Sequence, residues 1–87
     1  MYRIVYEKRA LKAIEKLKSE KLDSKVLKLI EVLKRNPFQN PPPYEQLIGE
    51  LKGFYSRRIN IQHRLVYQVY EEEKTVKIVS MWTHYEF

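Results

Sequence analysis

The stretch SRRINIQHRLVY, residues 56–67, reads as a strand, a tight turn and a second strand. It mixes three arginines, Arg57, Arg58 and Arg64, and one histidine, His63, into residues that normally build a core. In an antiparallel hairpin, directly opposed residues share a face. A loop of residues 60–62 sets Arg58 opposite Arg64, and a loop of residues 60–61 sets Arg57 opposite Arg64. Either register places two guanidinium groups side by side, which is destabilising without a partner. That partner is either a carboxylate, with Glu45 and Glu50 within reach, or an anionic ligand. Arginine's planar fork matches phosphate oxygens and stays charged at any relevant pH.

Working outward, Glu71, Glu72 and Glu73 mark a second turn, so three strands at about residues 51–59, 63–70 and 74–82 form a meander. The N-terminal MYRIVY alternates as a short strand. EKRALKAIEKLKS places Ala10, Leu11, Ile14 and Leu17 at helical spacing, with Lys8, Lys12 and Lys16 as an i, i+4 stripe opposite. Asp23 or Ser24 is expected to cap a second helix that turns Val26, Leu29, Ile30 and Leu33 inward and ends at Asn36-Pro37. The proline-rich PFQNPPPYEQLIGE is expected to be a stiff, extended loop carrying Tyr44 and Glu45 back over the sheet. The element order is β-α-α-β-β-β: an α+β domain with a helical hairpin packed on one face of a small antiparallel sheet. Phe54 and Tyr67 are expected in the core, and Met81 and Trp82 as core or dimer contacts rather than base-stacking groups. His63 is expected to be structural, on the face of its strand opposite Arg64.

The 87 residues make one domain, 1–87. The absence of cysteine excludes disulfides and thiolate chemistry, and in so small a domain it favours a reducing compartment. The chain has no apolar run long enough for a membrane span and no signal-peptide h-region, so it is expected to be cytoplasmic. The net charge is +6. Residues 1–36 hold 11 Lys/Arg against 5 Asp/Glu, whereas the remainder holds 6 of each. A one-sided basic surface suits a polyanion, nucleic acid first and an anionic membrane second, or else is a solubilising face.

Glu45 on the stiff loop, Arg58 and Arg64 on the hairpin, and His84 with Tyr85 after the last strand are the parts for metal-free RNA cleavage. A carboxylate takes the proton of a 2′-OH, arginines hold the phosphate, and a histidine protonates the leaving 5′-oxygen. The products would be a 2′,3′-cyclic phosphate and a 5′-OH. Spacing alone carries this weakly, since any small protein has a glutamate, a histidine and arginines.

The combined pattern is more specific. NPFQNPPPYEQLIGELKGFYSRRINIQHRLVYQV, followed by a terminal THYEF, resembles the YoeB/Txe toxins of the RelE superfamily over roughly residues 36–85. The shared elements are proline-phenylalanine, a proline-flanked glutamate and leucine, L-x-G-F-[WY]-S-R-R-I, H-R-L-V-Y and a C-terminal H-Y. The resemblance implies a RelE-like microbial RNase fold and a ribosome-dependent mRNA interferase that cuts mRNA in the A site. It implies neutralisation by a cognate antitoxin of the YefM type and a homodimer in some members. With two histidines, no cysteine and Glu45 as the one carboxylate near the site, the ligands are too few for a two-metal centre, so no metal or cofactor is expected. Carried over by motif, Glu45 is the general base, Arg64 and Arg58 the phosphate-binding arginines, and His84 the general acid, with Tyr85 beside it. This favours the Arg58–Arg64 register. The extra Glu86-Phe87 after the His-Tyr pair departs from the pattern and bears on the placement of Tyr85. Lys8, Lys12, Lys16, Lys21, Lys25 and Lys28 are candidate contacts to ribosomal RNA backbone, and Arg57 is expected to face solvent, antitoxin or RNA. The rival readings are a ParE-like toxin acting on DNA gyrase, which lacks the Glu/Arg/His set, and a non-catalytic RNA-binding module, which gives no role to Glu45 beside a phosphate site.

Overall fold

The computed structural model describes residues 1–82. The chain runs β1 (Arg3–Tyr6), α1 (Lys8–Lys12), α2 (Ile14–Ser19), α3 (Asp23–Arg35), β2 (Glu45–Gln46), a 3-10 turn (Gly49–Leu51), β3 (Tyr55–Arg58), β4 (Arg64–Tyr70) and β5 (Thr75–Ser80). The five strands lie in the order β1-β5-β4-β3-β2. The expected meander is present, with β4 antiparallel to both β3 and β5. The sheet as a whole is mixed rather than antiparallel, because β1 pairs with β5 in parallel, Ile4 beside Val76 and Tyr6 beside Ile78. The helices carry the chain from β1 across the sheet to β2 at the opposite edge, and the antiparallel run from β2 to β5 brings it back beside β1 in the same direction. A further strand, β2, forms where loop was expected: Glu45 pairs with Ser56 and Gln46 with Tyr55.

The helices cover one face of the sheet. Ala10, Ala13, Leu17, Leu22, Val26, Ile30 and Leu33 pack there against Leu65, Tyr67, Val76, Ile78 and Met81. The first helix differs from the expected one. It breaks at Ala13, whose amide donates to the carbonyl of Ala10 at 3.1 Å, a tighter i to i−3 turn. The shift brings Ala13 onto the buried face and turns Leu11, expected inward, to 49% exposure. Neither Asp23 nor Ser24 caps α3. Leu22 holds the N-cap position with no side-chain cap. The reason lies in the preceding turn, where Lys21 adopts φ +58° and Leu22 N–H reaches back to Leu17 O at 2.8 Å. This Schellman-type closure buries Leu22 while ending α2.

The other sheet face is only partly open. Leu47, Val66 and Val79 form a second, smaller cluster with Leu51 and Phe54, so Phe54 is core on this face and not under the helices. Leu65, Val66 and Tyr67 are therefore buried in succession, and β4 loses the alternation of a one-sided strand. The strand expected from residue 51 starts at Tyr55, since Leu51 belongs to the 3-10 turn and Gly53 sits at φ +97°. His63, Met81 and Trp82 fall as expected: His63 is 1% exposed, Met81 lies in the main core, and Trp82 is half-buried against it.

Tyr67 is fully buried in the main core and donates from its hydroxyl to Pro37 O at 2.9 Å. Burial pushes its phenol up to about 12, against a smaller opposing effect of the nearby Arg57. Between pH 10 and 12 the folded chain keeps a proton that the unfolded chain has released, so stability falls as pH rises through that window. The urea midpoint should drop from pH 9 to pH 11.5 in the wild type, by up to about 1.4 kcal/mol per pH unit from this group. The drop should be clearly smaller in Tyr67→Phe; equal drops would mean that Tyr67 does not carry the alkaline sensitivity.

Candidate active site

The hairpin register resolves the pairing left open by the sequence. Ile59 N–H donates to His63 O at 2.9 Å, the loop is residues 60–62, and Arg58 lies directly opposite Arg64. Asn60 shapes the turn, its Oδ1 accepting from the amides of Gln62 and His63 at 2.9 and 2.7 Å. Because opposed residues share a face, Glu45, Ser56 and Val66 form one row on the face away from the helices. Arg58 and Arg64 stand one alternation further along it. Pro43, Tyr44, Glu45, Ser56 and Arg58 line a concavity of about 340 Å³ there.

No carboxylate neutralises the two arginines among the described residues, the ion pairs being Lys34–Glu31, Lys77–Glu7 and the His63–Glu20 contact. Arg64 donates from Nη1 to the carbonyls of Asn60 and His63 at 3.2 and 3.3 Å, which pins it at the hairpin turn. Arg58 and Glu45 are exposed. Ser56 was not anticipated. It is 2% exposed, lines the concavity between Glu45 and Arg58, and its Oγ has no hydrogen-bond partner among the described residues. Alternation from Arg58 would have placed it on the same face. An idle buried hydroxyl is uncommon enough to mark a site. His84 and Tyr85 lie outside the described residues.

Arg57 corrects an expectation. It does not face solvent, antitoxin or RNA; it is 1% exposed. Alternation sends it to the opposite sheet face from Arg58, where the proline loop closes over it. Its guanidinium donates to the carbonyls of Pro37 at 3.0 Å, Gln39 at 2.8 Å and Pro42. It also stacks 5.0 Å from the Tyr44 ring. The loop is therefore not an extended polyproline segment. The Asn40-Pro41 and Pro41-Pro42 bonds are cis, and three carbonyls turn onto one side chain. Phe38, Tyr44, Tyr55 and Tyr67 pack edge-to-face or stacked beneath it, with centroids 5.3 to 6.1 Å apart. This cluster leads directly into β2 and sets Glu45 at the sheet edge.

The basic stripe is divided. Lys12 and Lys16 line one cleft together with Arg9, at the helix face of the sheet end; Lys8, Lys21, Lys25 and Lys28 are exposed elsewhere on the helical layer.

Residues 6–85 match the model of the YoeB-like toxin of bacterial type II toxin-antitoxin systems. The chain belongs to that family. A toxin YoeB from Synechocystis is 40% identical over 68 residues, covering 74% of this chain and 77% of its own. A toxin YoeB from Mycobacterium bovis is 42% identical over 52 residues, and the match spans 61% of that protein's length. Among solved structures, a YoeB/ParE toxin from Agrobacterium tumefaciens superposes with a TM-score of 0.86 at 28% identity, covering 95% of this chain and 99% of that one. The YoeB-YefM toxin-antitoxin complex of Staphylococcus aureus gives a TM-score of 0.80 at 32% identity, with 98% and 99% covered. A YoeB dimer from the same organism gives 0.81, with 97% and 98% covered.

The clamp on the YoeB-like loop is testable. Arg57→Met keeps much of the side-chain volume but leaves the Gln39 and Pro42 carbonyls unpaired, each costing about 1 kcal/mol or more, and Pro37 O with only the Tyr67 hydroxyl. Its denaturant-derived stability should fall by about 2 kcal/mol or more. Arg57→Lys should recover only a fraction, since an ammonium cannot span the three acceptors. Wild-type stability in Arg57→Met would show that the loop is held by its aromatic packing alone.

Proposed function

We propose that this toxin is a ribosome-dependent, metal-independent endoribonuclease that cleaves mRNA in the A site. The observation that carries the reading is the shared sheet face. One carboxylate, Glu45, stands a strand spacing from Ser56, whose hydroxyl is unpartnered among the described residues, and shares its sheet face with two arginines, one alternation further along, that have no counter-carboxylate among the described residues. A surface that only bound phosphate would gain nothing from a carboxylate at its edge. In the proposed reaction Glu45 takes the proton of a 2′-OH, and O2′ attacks the adjacent phosphorus. Arg58 and Arg64 hold the non-bridging oxygens as charge builds, and Ser56 is placed to add a neutral donor. The P–O5′ bond breaks as O5′ takes a proton from His84, with Tyr85 beside it. A 2′,3′-cyclic phosphate and a 5′-OH result. The partners in this reading are the ribosome and its mRNA, with a YefM-type antitoxin as inhibitor and a second copy in a homodimer. A cytoplasmic setting follows from a ribosomal target.

Arg64→Ala should lower the cleavage rate on ribosome-bound mRNA by about a hundredfold or more, the usual effect of removing one transition-state contact, while ribosome binding changes little. Arg64→Lys should restore part of it. A substrate with a 5′-phosphorothiolate leaving group needs little protonation. It should rescue His84→Ala and leave Arg64→Ala and Glu45→Ala slow. Rescue of all three alike, or of none, would remove the acid role from His84. Equal rates of wild-type cleavage on naked and ribosome-bound RNA would rule out ribosome dependence.

A further inference from the structure

Arg9, Lys12, Ala13, Lys16, Ser80 and Trp82, with Met81 at its floor, line a cleft of about 370 Å³ between the broken helix and the end of β5. Three basic side chains converge there. Neither Lys12 nor Lys16 has a carboxylate at ion-pair distance among the described residues, so their mutual repulsion is uncompensated. Lys16 is nevertheless held in place: its ammonium lies 5.7 Å from the Trp82 ring centroid. Trp82 is in turn stacked on the buried His63 at 3.9 Å. The kink at Ala13 is what aligns Arg9 and Lys12 of one helix with Lys16 of the next around this opening.

The cleft's position matters as much as its charge. Ser80 pairs with Val66, Val66 with Ser56, and Ser56 with Glu45; at the register shift beside Val66, Ser80 lines the cleft on the helix face while Val66, Ser56 and Glu45 lie on the other, so these paired residues link the cleft to the candidate base across the sheet. Three strand spacings make that link about 14 Å long. Trp82 lies two residues past Ser80, and its stacking partner His63 immediately precedes Arg64. The basic cleft and the arginine pair thus occupy the same end of the sheet, back to back on its two faces.

We propose that this cleft binds the sugar-phosphate backbone of the RNA on one flank of the scissile phosphate, after the strand rounds the end of the sheet from Arg58 and Arg64. This rests on the RNA-cleaving reading above. The ligand is backbone and not base, because the indole is already engaged by His63 and Lys16 and the remaining donors are cations and a hydroxyl.

Trp82 is the only tryptophan in the chain, so its fluorescence reports on this cleft. Full-length protein would be titrated with a dinucleotide and with a longer oligoribonucleotide carrying a single 2′-deoxy substitution that blocks cleavage. The longer RNA should shift Trp82 emission, and the dinucleotide should not. Lys12→Gln/Lys16→Gln should abolish that shift and flatten the salt dependence of binding by about 1.4 in log–log slope, at about 0.7 per cation on a single strand. The charge-matched Lys52→Gln/Lys74→Gln should leave both unchanged. Tight binding of the longer RNA with no change at Trp82, or an equal loss in the charge-matched control, would overturn the proposal. So would a double variant that keeps RNA affinity and loses affinity for the antitoxin, which would assign the cleft to an acidic protein segment. Cleavage of ribosome-bound mRNA by the same wild-type preparation separates the two readings: a protein that cuts without engaging Trp82 refutes the cleft alone.

Discussion

The guanidinium of Arg57 organises the half of the molecule that holds the candidate site. Its three carbonyl bonds gather Pro37, Gln39 and Pro42 onto one point, and its cation lies over Tyr44. A proline-rich segment has few amide donors with which to form secondary structure, so its carbonyls need an outside partner. A buried arginine, with five donors in a fixed fork, supplies one. Tyr67 adds a fourth bond, to the second lone pair of Pro37 O. The loop then has one way to enter β2, and Glu45 is delivered opposite Ser56. Adjacent arginines in one strand therefore do unlike work: Arg57 holds the loop on one face, and Arg58 is free to meet an anion on the other.

Charge is distributed to the same end. The helical half carries the whole excess of positive charge, and the break at Ala13 focuses part of it on a cleft level with the arginine pair. Burial is achieved elsewhere, by Ala10, Ala13, Leu17 and α3 on the sheet. The cations thus remain available at little cost to the core. Family membership and the match to YoeB toxins extend this arrangement to a toxin-antitoxin setting. The antitoxin-bound relative from Staphylococcus aureus is a structure of the same fold.

Residue periodicity and turn chemistry were enough to determine where the helical half lies, the hairpin and the α+β class, but not the break at Ala13 or the cap of α3. Those signals are local: Asn60, whose side chain accepts from the amides of Gln62 and His63, makes a turn, and apolar residues at helical spacing make a buried stripe. Motif order alone brought Glu45, Arg58 and Arg64 forward as a set, and alternation sufficed to send His63 away from Arg64. Other features were settled only by tertiary structure, because they depend on what lies across space. Which arginine is buried follows from the closure of a loop fifteen to twenty residues away in sequence. The outward turn of Leu11 follows from a tightened helical turn that trades it for Ala13 against the sheet. The strand at Glu45–Gln46, the parallel pairing of β1 with β5 and the idle hydroxyl of Ser56 likewise carry no local signature. Each exists because non-adjacent segments compete for the same backbone donors and the same buried surface, and that competition is resolved only when the whole chain has packed.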